Sequence, residues 1–250
     1  MPSLTLKVDY EKALKELLSD MYFDSRELLA KQIIKALNER NEYTADASPL
    51  DKLQQIINKL RAVYEKKYGA LSQKFPSELT EKIETDVSRR LKNQLIKQIS
   101  IKYRFNPAME EVLRAAAKEN VSLIKSIPER YFRRLEYDVM STVRNGENKT
   151  ALYEKLQNNY HTTRNRAYLI ADDQINKITE QIERTRKIEL GLNKAIWRHS
   201  GIPKVPRQSH KAADGKIYDI RKGCYIDREY IQPKEKINCN CFSQTVIETN

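Results

Sequence analysis

AYLIADDQINKITEQIERTRKIELGLNKAIWRHSG, residues 167–201, is the stretch on which the fold turns. Ala167, Ile170, Ala171, Ile175, Ile178 and Ile182 recur at helical spacing, with polar residues covering the other side. The spacing predicts the longest helix of the chain, from about 162 to 195. At ~1.5 Å per residue it would extend roughly 40 Å before Gly191. From Trp197 onward the pattern changes to short β-like runs between turn signals. GKIYDI (215–220), CYID (224–227) and FSQTVI (242–247) are the candidate strands, and Asp214-Gly215 is the clearest turn. The sole Trp, all three cysteines and two of the three histidines fall in this tail.

Upstream, the chain reads as helices. Leu14, Leu17, Leu18, Met21 and Tyr22, continued by Leu29, Ile33, Ile34 and Leu37, predict a helix over about 9–42. NEYTADASPLDK (41–52) breaks it, with Ser48 as a cap and Pro49 at the first helical position of the next. Leu53, Ile56, Ile57, Leu60, Val63, Tyr64 and Leu71 carry that helix to a break at KFPSELTEK (74–82), where Ser77 is an imperfect cap. Leu79, Ile83, Val87, Leu91 and Leu95 then follow at steps of four. Residues 105–157 read as three helices: Asn106-Pro107 opens the first, Ile127-Pro128 separates the next, and Asn145-Gly146 closes the second. Their apolar stripes are narrow (Met109, Val112, Leu113, Ala116; then Phe132, Leu135, Val139, Val143), a pattern that packs helix on helix or on another chain. The expected fold class is a mainly α N-terminal body with a small α+β C-terminal domain following a long helix.

Composition agrees. Only 6 Gly and 8 Pro in 250 residues favour long helices over turn-rich β architecture. The chain has no basic n-region followed by an apolar h-region and no apolar run near the ~20 residues needed to cross a bilayer. It is expected to be soluble and made in a reducing cytoplasm, where three cysteines do not form a secreted disulfide framework. No phosphate-binding G-x-x-x-x-G-K-[ST], no G-x-S-x-G and no H-E-x-x-H is present, which leaves no P-loop ATPase motif and none of the common hydrolase signatures.

The balance of 46 Lys+Arg against 34 Asp+Glu, net +12, fits a polyanionic partner or plain solubility with local salt bridges. Two stretches concentrate it. VSRRLKNQLIKQISIKYRFN (87–106) holds six basic residues, among them Arg89, Arg90 and Lys92, and no acid. It is either a polyanion-facing stretch or a face whose acids come from a neighbouring helix. Residues 184–222 hold eleven Lys/Arg, including Arg184, Arg186, Lys187, Arg198, Lys204, Arg207 and Lys211, against Glu189, Asp214 and Asp219. With Trp197 and Tyr218 they suit DNA-backbone contact without sequence reading, or an acidic partner protein.

KEKINCNCFSQ (234–244) places Cys239 and Cys241 one residue apart. A disulfide between them would close a very small, strained ring. A redox or nucleophilic cysteine would need a His or a cationic helix end beside it, and redox pairs usually read C-x-x-C. Two readings stay open. In one, a zinc ion takes Cys239, Cys241 and His210, with Cys224 as a fourth ligand, and staples short β segments that lack much apolar core. In the other, the cysteines are small buried apolar residues, His210 is a hydrogen-bonded core residue and Asn238 caps the turn. Asp172 and Asp173 point about 100° apart on a helix and do not converge on one ion, so one of them reads as surface charge.

Five separated elements in one order resemble the C-terminal domain of phage Mu F-like minor head proteins, also called phage head morphogenesis proteins. They are Ala167 to Gln174, Trp197 to Ser200, Arg207 to Gly215, Pro233, and Ile237 to Cys241. KENVSLIKSIPERY (118–131) resembles the helical approach to that domain, so the resemblance spans about 115–247. There are departures. GIPKVPRQSH stands where the family has Asp-x-Arg-Val-Arg, so only Lys204 keeps a basic position and Pro206 lacks an N–H; Asn240 stands in place of the Arg of N-C-R-C. The resemblance implies residues 1–110 as a variable helical region, 111–160 as a helical lead-in and 161–250 as the family domain. It implies a structural, non-enzymatic role in procapsid assembly at the portal vertex, with portal, capsid or scaffold proteins as partners and double-stranded DNA as a non-specific contact. It places the protein in the virion, and in the host cytoplasm during assembly. Two rivals are a zinc-dependent nuclease or toxin-like enzyme using His210 and the Cys239/Cys241 pair, and a non-specific DNA-binding protein.

Overall fold

The computed structural model describes residues 4–38, 49–95, 107–201 and 206–246. The expected cap Ser48, the basic run beyond 95 and Lys204 lie outside them, as do the side chains of Ile33, Ile34, Leu37 and Leu95. Four long helices come first: α1 (Leu4–Asn38), α2 (Pro49–Leu95), α3 (Pro107–Asn145) and α4 (Lys149–Glu189). A small module follows: β1 (Lys194–Arg198), the short helix α5 (Gln208–Ala212), β2 (Ile217–Asp219), β3 (Cys224–Ile226), β4 (Glu229–Ile231) and β5 (Phe242–Thr245). This is the expected class, a mainly α body with a small α+β C-terminal part after a long helix. No helix among the described residues is long and apolar enough to cross a membrane.

Four expected boundaries are corrected. Pro76 and Pro128 lie inside α2 and α3 and break neither. A proline inside a helix removes a hydrogen bond and crowds the carbonyl four residues back, at ~3 kcal/mol. Here both prolines are buried, and the buried stripe runs past each of them: Leu79 and Ile83 beyond Pro76, Ile127 and Tyr131 around Pro128. Hydroxyls cap nearby carbonyls, Ser72 Oγ donating to Gly69 O at 2.7 Å and Ser126 Oγ to Leu123 O at 2.7 Å. Helix α4 starts at Lys149 rather than near 162, because Asn148 Oδ1 accepts the Ala151 N–H at 2.9 Å as an N-cap. It also ends before 195. Gly191 sits at φ 74, the Gly191 N–H donates to Ile188 O and the Leu192 N–H to Lys187 O, a left-handed helix stop that frees residues 194–198 to become β1.

The chain divides into two compact units whose boundaries fall inside the helices: residues 9–75 with 120–170, and residues 1–8 with 76–119 and 171–250. The first is a helical core around Leu14, Leu18, Leu53, Tyr64, Tyr68 and Phe132. Two of its buried polar pairs join helices: Tyr10 Oη donates to Asn120 Oδ1 at 2.6 Å and Asn159 Nδ2 to Tyr131 O at 3.1 Å. The second unit packs Leu79, Ile83, Val87 and Met109 with Ile175, Ile178 and Ile182, and carries the β module.

In that module β1 is central, in the antiparallel order β2-β1-β5, and β3 and β4 form a separate antiparallel hairpin. Ala195 pairs with Tyr218 and Thr245, and Trp197 with Ser243. The strand period of two turns Ala195 and Trp197 to the same side, where both are fully buried. They join Ala213, Ile220, Cys224, Ile226, Ile231, Cys239 and Cys241, with Ile188 of α4 against them.

Candidate metal centre

Helix α5 is one short turn whose buried side chain is His210, 3 % exposed. The segment between β4 and β5 brings the cysteines to it. Two residues with positive φ, Lys234 (65) and Asn238 (59), curl this segment; the Glu235 N–H donates to Gln232 O and the Cys239 N–H to Lys236 O at 3.0 Å. Residues two apart on an extended stretch share a face, so Cys239 and Cys241 point the same way. Helix α4 fastens the turn. Asp173 accepts the backbone N–H of Asn238, and Asn176 Nδ2 donates to Asn240 Oδ1 at 3.3 Å. Arg207, just before α5, donates to Ile237 O at 3.0 Å.

The ligand atoms of His210, Cys239 and Cys241 lie within 4.8 Å of one another. Cys239 Sγ is 3.4 Å and Cys241 Sγ 3.8 Å from His210 Nδ1. The cysteines are 5 % and 3 % exposed. Burial alone would hold both thiols protonated, yet Cys239 is lowered to about 5. The largest cause is a hydrogen bond from the Cys241 thiol, joined by the backbone N–H groups of Cys241 and Lys234 and by the charge of His210. The same thiol–thiolate bond, with burial, pushes Cys241 up, while the Ser200 backbone N–H favours its thiolate. Trp197 stands edge-on to His210, ring centroids 5.3 Å apart. Its indole N–H makes no hydrogen bond of ordinary geometry but lies close enough to Cys241 Sγ to favour the thiolate.

Cys224, expected as a fourth ligand, is not part of this group. Its place in β3, opposite Ile231, turns it into the core of the module, and burial pushes its thiol up. His199 is also apart, its Nδ1 accepting the Gly201 N–H at 3.1 Å, and His161 belongs to the other unit. The donor set among the described residues is therefore Cys₂His, soft and suited to a thiophilic divalent cation.

The expected basic contact residues differ in burial and pairing. Arg186 and Lys187 are buried, a correction: Arg186 pairs with Glu84 and with Glu189 at 2.8 Å, and Lys187 Nζ donates to Ser243 Oγ at 2.8 Å. Arg90 pairs with Asp86 and, from α4, with Glu183 at 3.2 Å, so acids from a neighbouring helix do answer that run. Arg184 lines a cleft of about 250 Å³ with Glu119, Lys177, Glu180, Gln232 and Lys234. Arg198 donates to Gln244 Oε1 at 2.7 Å. Arg89, Lys92, Arg207 and Lys211 are exposed, Arg89 paired with Asp86 of its own helix.

Sequence reasoning missed two features. Of Asp172 and Asp173 one read as surface charge, yet Asp173 holds the cysteine turn and Asp172 pairs with Lys7 at 2.5 Å. The second is the cleft, where Glu180 is buried and pushed up to about 7, chiefly by desolvation, opposed by Arg184, Lys187 and Lys234 and reinforced by Glu183. A carboxylate at an inward helical position was the available signal for it.

Known proteins bear on these residues. Residues 133–244 match the family described as Phage Mu protein F like protein. An uncharacterized protein of Haemophilus influenzae is 31% identical over 165 residues, 66% of this chain and 36% of the relative. The chain thus spans about a third of the length of the curated relative it matches. No solved structure matches it. The family match runs from the second half of α3 into β5 and takes in Asp173, Trp197, His210, Cys239 and Cys241. Over residues 133–244 the chain is similar to the phage Mu protein F-like family.

Proposed function

We propose that the chain is a structural component of a phage head, acting in head assembly and turning over no substrate. The observation that carries this reading is the family match across residues 133–244. Its matched residues are those the fold uses as core and fasteners: Trp197 is fully buried, Asp173 and Asn176 hold the 238–240 turn, and His210, Cys239 and Cys241 are buried together. A hydrolytic metal centre needs a position open to substrate and a base beside it. A Cys₂His group at 3–5 % exposure suits a structural role better.

The place in the head that we propose is the portal vertex, with the portal protein and neighbouring capsid or scaffold proteins as partners. Arg89, Lys92, Arg207 and Lys211 are the basic residues of the expected set left exposed for an acidic portal surface. DNA backbone is the other polyanion they fit, and salt-sensitive binding of random-sequence duplex would reveal it. The test of the reading is particle composition. The chain should copurify with DNA-filled heads; its presence only in the soluble lysate overturns the proposal.

A further inference from the structure

We propose that His210 Nδ1, Cys239 Sγ and Cys241 Sγ hold one zinc ion that staples α5 to the β4–β5 turn. The inference does not depend on the head-assembly reading. Three observations carry it. The first is metric. Tetrahedral zinc, with bonds of ~2.3 Å to sulfur and ~2.0 Å to nitrogen, sets its S and N ligand atoms about 3.5 Å apart and two sulfurs about 3.8 Å apart. The sulfur–nitrogen separations are 3.4 and 3.8 Å, and all three ligand atoms lie within 4.8 Å of one another, so an ion fits with little movement of any side chain.

The second is the ring of donors. Cys239 Sγ receives the N–H groups of Cys241 and Lys234, and Cys241 Sγ that of Ser200, with the Trp197 indole beside it. Cysteines that serve only as apolar filling need no N–H groups aimed at sulfur. Thiolates bound to a metal do, because such bonds stabilise sulfur charge and fix its direction. Left-handed φ at Lys234 and Asn238 shows that the backbone is bent to deliver the turn.

The third is what the staple joins. The module's sheet has strands of three to five residues, and the segment from Gln232 to Cys241 has no regular structure of its own. A metal there ties that segment to α5 and, through Trp197 against His210, to the central strand β1. The metal takes both sulfurs as thiolates, and the proton still held by Cys241 leaves to solvent on binding. No further His, Cys, Asp or Glu among the described residues joins the group, and the burial of all three ligands shields the fourth position from substrate.

The test uses the untagged full chain, purified under reducing conditions without added metal. Plasma mass spectrometry should find about one zinc per chain. Replacement by Co²⁺ should give thiolate-to-cobalt charge-transfer bands and the visible bands of a tetrahedral ion. Cys224→Ser should keep metal and spectrum; Cys239→Ser and Cys241→Ser should lose both. Should those two fail to fold, His210→Cys decides, because three thiolates in place of two should raise the charge-transfer absorption about 1.5-fold. Folded wild-type protein with no zinc and no cobalt–thiolate band overturns the proposal, as does metal retained in full by Cys239→Ser.

Discussion

Glu180→Gln tests whether burial or pairing governs the acidic side of the cleft. Glu180 is 7 % exposed, with Arg184, Lys187, Lys234 and Glu183 as its charged neighbours. Desolvation outweighs the cations and raises it from 4.5 to about 7. The sign follows from proton binding. Below pH 4.5 the group is protonated folded and unfolded and contributes nothing to the slope. Between 4.5 and about 7 the unfolded chain has released the proton that the folded chain keeps, so stability falls as pH rises. Above that interval the full cost is present. At about 1.4 kcal/mol per pH unit it amounts to ~3 kcal/mol. Glutamine keeps the shape and cannot ionise. Urea unfolding from pH 4.5 to 8, followed by fluorescence of Trp197, the sole Trp and in the same unit, should therefore show the variant gaining on wild type by ~3 kcal/mol across the range. Titration of the cysteines is common to both proteins and cancels. The opposing possibility has the opposite sign. Burial lowers Lys187 and Lys234, and an ionised Glu180 that compensated them would leave two buried cations exposed to each other once removed. A variant less stable than wild type at pH 8, or two parallel profiles, refutes the reasoning.

Two further substitutions test the packing of the same unit. Gly223→Ala places a Cβ 2.8 Å from Ile231 O at φ +94, so the β3–β4 hairpin must open, and urea unfolding followed by Trp197 fluorescence should show a loss of ~2 kcal/mol or more. Arg186→Met leaves Glu84 and Glu189 without their shared cation and should cost about 2–4 kcal/mol; the double variant with Glu84→Gln should recover part of that, as a thermodynamic cycle by denaturant melts will measure.

Much of this architecture is legible in residue spacing. The stripe from Ala167 to Ile182 and the strand runs at 217–219, 224–226 and 242–245 follow from periods of 3.6 and 2 with turn residues between them. The joining of the helix expected after Gly146 with the one expected from 162 into a single α4 is not legible, because Asn159 and Thr163 occupy inward positions at the join, Asn159 satisfied by Tyr131 O on another helix and Thr163 by Asn159. Pro76 and Pro128 read as breaks because a local rule cannot weigh the burial on either side of them. Strand β1 hid in the tail of the helical pattern, since KAIWR carries no strand signal until β2 and β5 flank it. At the site, His210, Cys239 and Cys241 could be grouped by residue type alone. The exclusion of Cys224 depends on the register of a two-stranded hairpin, and the role of Asp173 depends on an N–H delivered by the positive φ of Asn238. Burial of Arg186 and Lys187 was hidden for a related reason: their partners Glu84 and Ser243 stand far away in sequence.

The most direct measurement is quantitative mass spectrometry of phage heads separated from tails and from soluble lysate. The account predicts peptides of this chain in DNA-filled heads and not in the tail fraction. Heads free of the chain, with the protein confined to the lysate, would contradict it.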